Sequence, residues 1–328
     1  MVNVEVVGPL DAGEVRAVSS LVEAATEADG VRPLSEHVML HLRYGGDERV
    51  RNVLTWAGDD LAGYAHLDVT DEVEGASAEL VVAPAHRGRG IGRRLVEATL
   101  AETPDGRLRL WSHGGHPGAA ALAGSMGFVE SRALWQMRRS LYAPLPAAEL
   151  PAGVSVRTFV PGQDDDAWVA LNAAAFTGHP EQGSWTVDDL HRRVGEPWFD
   201  PEGFFLAERA GDDGSRRLVG FHWTKVHGGS GPAHDRLDQP HAHDGQSGTH
   251  GHDPIGEVYV VGVDPAERGH GLGRAMTLVG LRHLRHHGLP DAMLYVDADN
   301  GPAIALYTAL GFTHWETDVM FRRDGRHA

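Results

Sequence analysis

Two blocks of eleven residues constrain this chain most. Residues 84–94 run Pro-Ala-His-Arg-Gly-Arg-Gly-Ile-Gly-Arg-Arg, and residues 265–275 run Pro-Ala-Glu-Arg-Gly-His-Gly-Leu-Gly-Arg-Ala. Downstream, Ala121-Leu122 followed by Gly127-Phe128 is echoed by Ala305-Leu306 followed by Gly311-Phe312. The two matches are displaced by 181 and 184 residues, so a whole domain is duplicated, and the short period of a solenoid does not fit. A length of 328 residues agrees with two domains, each large enough for its own core. The stretch from Tyr142 to Gly153 carries three prolines that remove strand donors, and it reads as a stiff linker. The predicted domains are therefore residues 1–141 and 152–328.

Each half parses alike, as a mixed α/β (α+β) sheet. In the first, Val2–Val6 is a strand, and Val15, Val18, Val22 and Ala25 mark the buried face of a helix. Val50–Ala57 and Leu61–Val69 form a hairpin around Gly58-Asp59-Asp60. A strand at Ala78–Ala83, a helix at Gly90–Ala101, a strand at Leu108–Trp111, a short helix ending near Gly127 and a strand from Phe128 follow. In the second half, Phe204–Arg209 and Leu218–Val226 form the hairpin, Glu257–Val263 the strand before the glycine loop, and Gly271–His286 the helix after it. Ala292–Val296, Pro302–Leu310 and Phe312–Phe321 complete the unit.

Composition excludes several function classes. The net charge is −17, which disfavours a general nucleic-acid binder but not one anion held by a local loop. No apolar run reaches the length of a membrane span, and the N-terminus lacks the basic and apolar regions of a signal peptide. A cytoplasmic monomer without nucleic-acid or membrane partners is expected. The absence of cysteine rules out disulfides, thiolate metal sites and cysteine nucleophiles. Residues 227–253 hold six histidines, His227, His234, His241, His243, His250 and His252. Such tracts can bind metals, but a solvated hairpin loop accounts for this one, and no metal is assigned.

The glycine loops carry the chemistry. Each follows an apolar strand and opens a helix, where glycine permits close approach and free N–H groups attract a pyrophosphate. Turn formation alone is the plainer alternative. A dinucleotide fingerprint or Walker loop fits poorly, because the loops lie deep in each repeat and no Gly-Lys-Ser/Thr follows. The order of strand, Arg-x-x-Gly-x-Gly loop, long helix, strand, short helix and Gly-Phe strand resembles the Gcn5-related N-acetyltransferase (GNAT) family. Arg87–Gly92 and Arg268–Gly273 match its loop, and Asn300, Ala303, Leu306, Tyr307, Gly311 and Phe312 match its later block.

That resemblance implies two tandem GNAT domains, acetyl-CoA as co-substrate, and a tyrosine that protonates the departing CoA thiolate. Under the Gly-Phe alignment Tyr307 matches Ala123 and Asn300 matches His116, so the first half is degenerate and catalysis falls to the second. A buried core aromatic is the structural alternative for Tyr307.

The segments Gly178-His179-Pro180-Glu181-Gln182, Gly220–Lys225, Gly256–Val263 and Leu294–Asp297 resemble a tandem branch of the family. That branch acetylates the cysteinyl amine of a small pseudodisaccharide, cysteinyl-glucosaminyl-inositol. The resemblance implies acetyl-CoA against Val261, Gly262 and Val263, and on Arg268, Gly269, His270, Gly271, Leu272, Gly273 and Arg274. Its thioester end would lie near Asn300, Gly301, Pro302, Ala303, Ile304 and Ala305. The first half would offer Leu80, Val81, Val82, Gly88, Arg89, Gly90, Ile91, Gly92 and Arg93. The amine substrate would meet Glu36, Glu181, Lys225, Glu257 and Tyr295, each with a solvated surface charge or polar group as its plainer reading. Glu257, inside an apolar strand, is the candidate general base. Acetylation of another small amine and a non-enzymatic CoA-binding regulator are the rival functions.

Overall fold

The computed structural model describes residues 2–45, 49–71, 74–177, 182–211, 214–227 and 254–325. The first half carries β1 (Val2–Val7), α1 (Ala12–Asp29), α2 (Glu36–Tyr44), β2 (Arg51–Ala57), β3 (Asp60–Asp68), β4 (Ala76–Val82), α3 (Ile91–Ala101), β5 (Leu108–Ser112), α4 (Pro117–Ser125) and β6 (Val129–Ser140). The second carries β7 (Val154–Thr158), α5 (Asp165–Ala175), α6 (Val187–Val194), β8 (Phe204–Ala210), β9 (Arg216–His227), β10 (Ile255–Val263), α7 (Leu272–His286), β11 (Asp291–Asp297), α8 (Gly301–Ala309) and β12 (Thr313–Arg323).

Local signals explain most boundaries. Asp11 caps α1 by accepting from the N–H groups of Gly13 and Glu14, while Glu14 reaches back to the Asp11 N–H. The buried face of α1 is Val18, Leu21, Val22 and Ala25, as the spacing predicts. Thr186 and Asp189 form the same reciprocal cap on α6.

The chain divides into two compact units that do not follow the halves. The first comprises residues 1–135, 297–300 and 316–328, and the second residues 136–296 and 301–315. Each last strand therefore changes unit along its length, β6 at Trp135/Gln136 and β12 at Trp315/Glu316.

In the first unit the sheet runs β1-β2-β3-β4-β5-β12. Its first four strands are antiparallel, β4 and β5 are parallel, and β12 closes antiparallel on β5 from Val319↔Ser112 to Arg323↔Leu108. Strand alternation gives the sheet two apolar faces. Leu54, Tyr64 and Val81 pack under α1 and α2, while Val53 and Ala65 pack under Ile91 and Leu95 of α3.

In the second unit the order is β7-β8-β9-β10-β11-β6, antiparallel through β10 and parallel between β10 and β11. Trp168 and Leu171 of α5 and Leu190 of α6 pack on Phe204, Leu206, Phe221 and Trp223. Leu272 and Met276 of α7 pack on Ala207 and Val219 from the other side. Among the described residues no helix is long and apolar enough to cross a membrane.

Candidate functional site

Both parallel strand pairs part before the glycine loop. In the second unit the register runs from Ile255↔Asp291 to Glu257↔Met293 and stops, although β10 continues to Val263. In the first it runs from Ala76↔Leu108 to Glu79↔Trp111, although β4 continues to Val82. Backbone groups of Val261–Val263 and Leu80–Val82 therefore face away from ladder partners on that side, where a ligand chain can pair with them.

The two strands differ in one residue. β10 has a bulge against β9, with a register shift between Val258 and Val260, whereas the β3–β4 register is continuous. Arg109 and Met293 are equivalent under the Gly-Phe alignment, so their parallel partners, Ser77 and Glu257, are equivalent too. The first half thus has a serine where the second has its candidate base.

Glu257 is 7% exposed, and its Oε2 lies 2.6 Å from Nε2 of His227, at the end of β9. The sequence alone places His227 in a surface tract, and its pairing with Glu257 shows only when β9 and β10 are laid in register. The remaining histidines of that tract lie outside the described residues. Lys225 is the direct cross-strand partner of Glu257 and is almost as buried. Its Nζ lies 4.3 Å from the centre of the Trp198 ring and 5.1 Å from that of Tyr259. The Tyr259 hydroxyl accepts from Nε of Arg193 at 2.9 Å, and that guanidinium stacks 3.8 Å over Trp185. Trp198, Tyr259 and Arg193 are absent from the sequence-derived site. They are scattered over 67 residues, and only α6 and the bulge bring them beside Lys225.

Tyr307 lies on α8, 8% exposed, with its ring edge-on to Phe312 at 5.9 Å. Burial pushes its phenol up to about 12, so it stays protonated at neutral pH and can give a proton away. Its hydroxyl makes no hydrogen bond to another described residue. The aligned Ala123 is buried in α4 and has nothing to donate.

The second glycine loop leaves the N-terminus of α7 open. Gly271 caps α7 at φ 81° with no side chain bonded to the helix N–H groups, and Gly269 has φ 83°. Leu272 points into the core, so only its backbone faces a ligand. Arg268 donates from Nη2 to the Ala175 carbonyl at 2.7 Å, which ties the loop to the end of α5. Gly273 and Arg274 occupy the first turn of α7, and Gly301, Pro302, Ala303, Ile304 and Ala305 open α8.

The first loop repeats this form, with Gly90 capping α3 at φ 79°. Leu80, Val81, Val82, Gly88, Gly90, Ile91, Gly92 and Arg93 all line one cavity of about 620 Å³, with Trp111, His113, His116 and Ala123 on its walls. That size suits a small-molecule ligand. Arg87 forms a two-pronged ion pair with Asp29, and Nδ1 of His116 accepts from the Gly118 N–H as the cap of α4. His113 is half-buried beside Asp318 and Glu79. Burial works against its charge, but the two carboxylates outweigh it and push its pKa up.

Other sequence-derived residues fall elsewhere. Glu36 opens α2 in the first unit, half-buried, and Glu181 lies outside the described residues. Asn300 belongs to the 297–300 segment of the first unit and donates its N–H to the Asp297 carbonyl. Tyr295 is 41% exposed on β11, and its hydroxyl accepts from Nε2 of Gln136 at 2.8 Å.

Comparison with known proteins places this geometry. The model of the acetyltransferase (GNAT) family matches residues 167–312, and a GNAT domain model matches residues 51–130. A mycothiol acetyltransferase of Streptosporangium roseum is 59% identical over 98% of this chain and 99% of its own. One from Acidothermus cellulolyticus is 61% identical over 99% and 95%. Among solved structures, a GCN5-related N-acetyltransferase from Sphaerobacter thermophilus is 26% identical, with a TM-score of 0.65 over 98% of this chain and 95% of its own. A tandem GNAT protein from the clavulanic acid biosynthesis pathway shares the fold at 21% identity, with a TM-score of 0.69 over the full length of both chains.

Proposed function

The chain belongs to the GNAT acetyltransferases and, among them, to the mycothiol acetyltransferases, and from that premise we propose that its C-terminal half, residues 152–328, performs the chemistry. The reaction is transfer of acetyl from acetyl-CoA to the cysteinyl amine of 1D-myo-inositol 2-(L-cysteinylamino)-2-deoxy-α-D-glucopyranoside, giving mycothiol. The observation that carries the assignment is the pairing of buried Glu257 with half-buried His227 at the point where β10 leaves β11.

Acetyl-CoA supplies the activated acyl thioester. Its pyrophosphate would rest on the N–H groups of the Arg268–Arg274 loop, and its pantetheine arm along Val261–Val263 toward Gly301–Ala305. The substrate amine arrives as an ammonium, which cannot attack. Glu257, directly or through one water, takes the proton, and His227 keeps that carboxylate oriented and in contact with solvent. The amine then forms its C–N bond as the C–S bond breaks, with N–H groups of the parted β10 edge stabilising the oxyanion. Tyr307 gives its proton to the CoA thiolate. Lys225 and Tyr295 are the proposed contacts to the sugar and inositol hydroxyls. With no cysteine in the chain, no cysteine-linked acyl-enzyme forms.

The N-terminal half, residues 1–141, would hold a second acetyl-CoA without turnover. Its cavity and glycine loop suit the ligand, while Ser77 and Ala123 replace the base and the acid.

Purified protein, acetyl-CoA and the cysteinyl pseudodisaccharide test the reading by mass spectrometry with thiol titration. The expected product is acetylated on nitrogen and keeps its own thiol. Turnover of aminosugars or peptide N-termini, with none of this substrate, would overturn the substrate assignment.

A further inference from the structure

We infer that Asp200, His283 and His287 form a binding site for a divalent transition-metal ion of the zinc class, at the end of α7 remote from the glycine loop. His283 lies in the last turn of α7, and His287 is its C-cap at φ −73° and ψ 4°. The four-residue spacing puts both imidazoles on one helix face, with ring centres 4.3 Å apart. Asp200 stands at the start of the Pro201–Gly203 turn, 83 residues before His283. Its Oδ1 accepts from the Glu202 N–H at 2.9 Å, which leaves Oδ2 facing Nε2 of His283 at 3.0 Å.

One ligand atom from each residue lies within 4.8 Å of the other two. Tetrahedral zinc with bonds of 2.0–2.1 Å needs donors about 3.3 Å apart. The Asp200–His283 pair is already at that spacing, and a small side-chain adjustment brings in exposed His287. The backbone leaves room for the pair. A Cβ on Gly203 would sit 3.0 Å from Nε2 of His283 and 3.1 Å from Oδ2 of Asp200. Phe205 packs edge-on to the His283 ring at 5.4 Å and fixes its plane.

A neutral imidazole and a charged carboxylate are the states that bind a metal. The site also lies at the negative end of the α7 dipole. Two imidazoles and one carboxylate favour zinc, nickel or copper over magnesium or calcium, with a fourth position left for water. Fifteen helical residues put it about 22 Å from the cofactor loop, so the ion would pin the 200–203 turn to α7 and take no part in catalysis.

Twenty-one histidines compete for metal in this chain. The test therefore uses the full chain with His234, His241, His243, His250 and His252 changed to Gln, stripped by chelator and titrated with zinc chloride by calorimetry. One saturable equivalent is expected, with a melting-point rise that EDTA reverses. His287→Ala and Asp200→Asn, with circular dichroism checking their folds, should each weaken binding by at least about 10–100-fold, the range seen when a supporting group of a metal site is lost. Cobalt in place of zinc should show tetrahedral absorption bands. Absence of a saturable equivalent, or parental affinity in both variants, would overturn the site.

Discussion

Gly280→Ala should destabilise the second unit, although the same change in an exposed helix usually helps by about 1 kcal/mol. Gly280 lies inside α7 with its Cα against the fully buried imidazole of His222. A Cβ there would fall within 2.7 Å of three ring atoms. The ring cannot retreat freely, because its Nδ1 is held at 2.7 Å from the Met276 carbonyl. Overpacking costs about 1–3 kcal/mol, and breaking a buried hydrogen bond a further ~1–3 kcal/mol. Set against the helix gain, the net loss is about 3 kcal/mol. For a unit of this size, that is roughly 6–12 °C in its melting transition. Differential scanning calorimetry of the single variant and of Gly280→Ala/His222→Ala checks it, because the double variant removes the clash and should recover part of the loss. A single variant that melts at or above the parent's temperature would refute the packing of α7 on β9.

Tyr307→Phe keeps the ring contact with Phe312 and should lower kcat about 10²-fold while leaving the KM for acetyl-CoA nearly unchanged; steady-state kinetics would reject the acid if kcat stays within threefold. His227→Gln should lower kcat/KM about tenfold, because it replaces the imidazole that holds the Glu257 carboxylate in place; an unchanged kcat/KM would remove His227 from the mechanism. His222 and His66 are buried neutral, each held near pH 4 chiefly by burial. Their stabilising contribution is complete above the unfolded value of about 6.5 and declines as pH falls toward 4, by up to on the order of 3 kcal/mol each. Urea titrations from pH 7 to pH 4.5 should show that decline, and a flat midpoint would contradict it.

Much of the fold was legible because local and global signals coincide. The glycine loops, the helices behind them and the hairpins each carry a periodic pattern bounded by turn residues, and the structure places them within a few residues. Helix α2 gives little sequence signal although Leu34, Val38 and Leu42 recur at one-turn spacing, because nine residues give a weak period. Helices α5 and α6 give little because Trp168, Leu171 and Leu190 are separated by a polar, glycine-containing stretch. Nothing in the pattern of Thr313–Arg323 says that its end pairs with β5. An amphipathic strand encodes which face it buries, not which edge it joins. Within the site, Glu257 and Tyr307 stand in recognisable motifs, whereas His227, Trp198 and Arg193 gain meaning only from register and proximity.

The central claim is that two similar glycine loops serve one centre of chemistry, in the C-terminal half. Single-turnover acetyl transfer to the cysteinyl pseudodisaccharide, measured on folded Gly271→Val and Gly90→Val proteins, tests it most directly. Both glycines have φ near 80°, so either valine strains its turn equally, and heat stability must be matched before rates are compared. Gly271→Val should abolish transfer, because the pyrophosphate can no longer approach the N-terminus of α7, while Gly90→Val keeps most of it. Equal and complete loss in both would contradict the account.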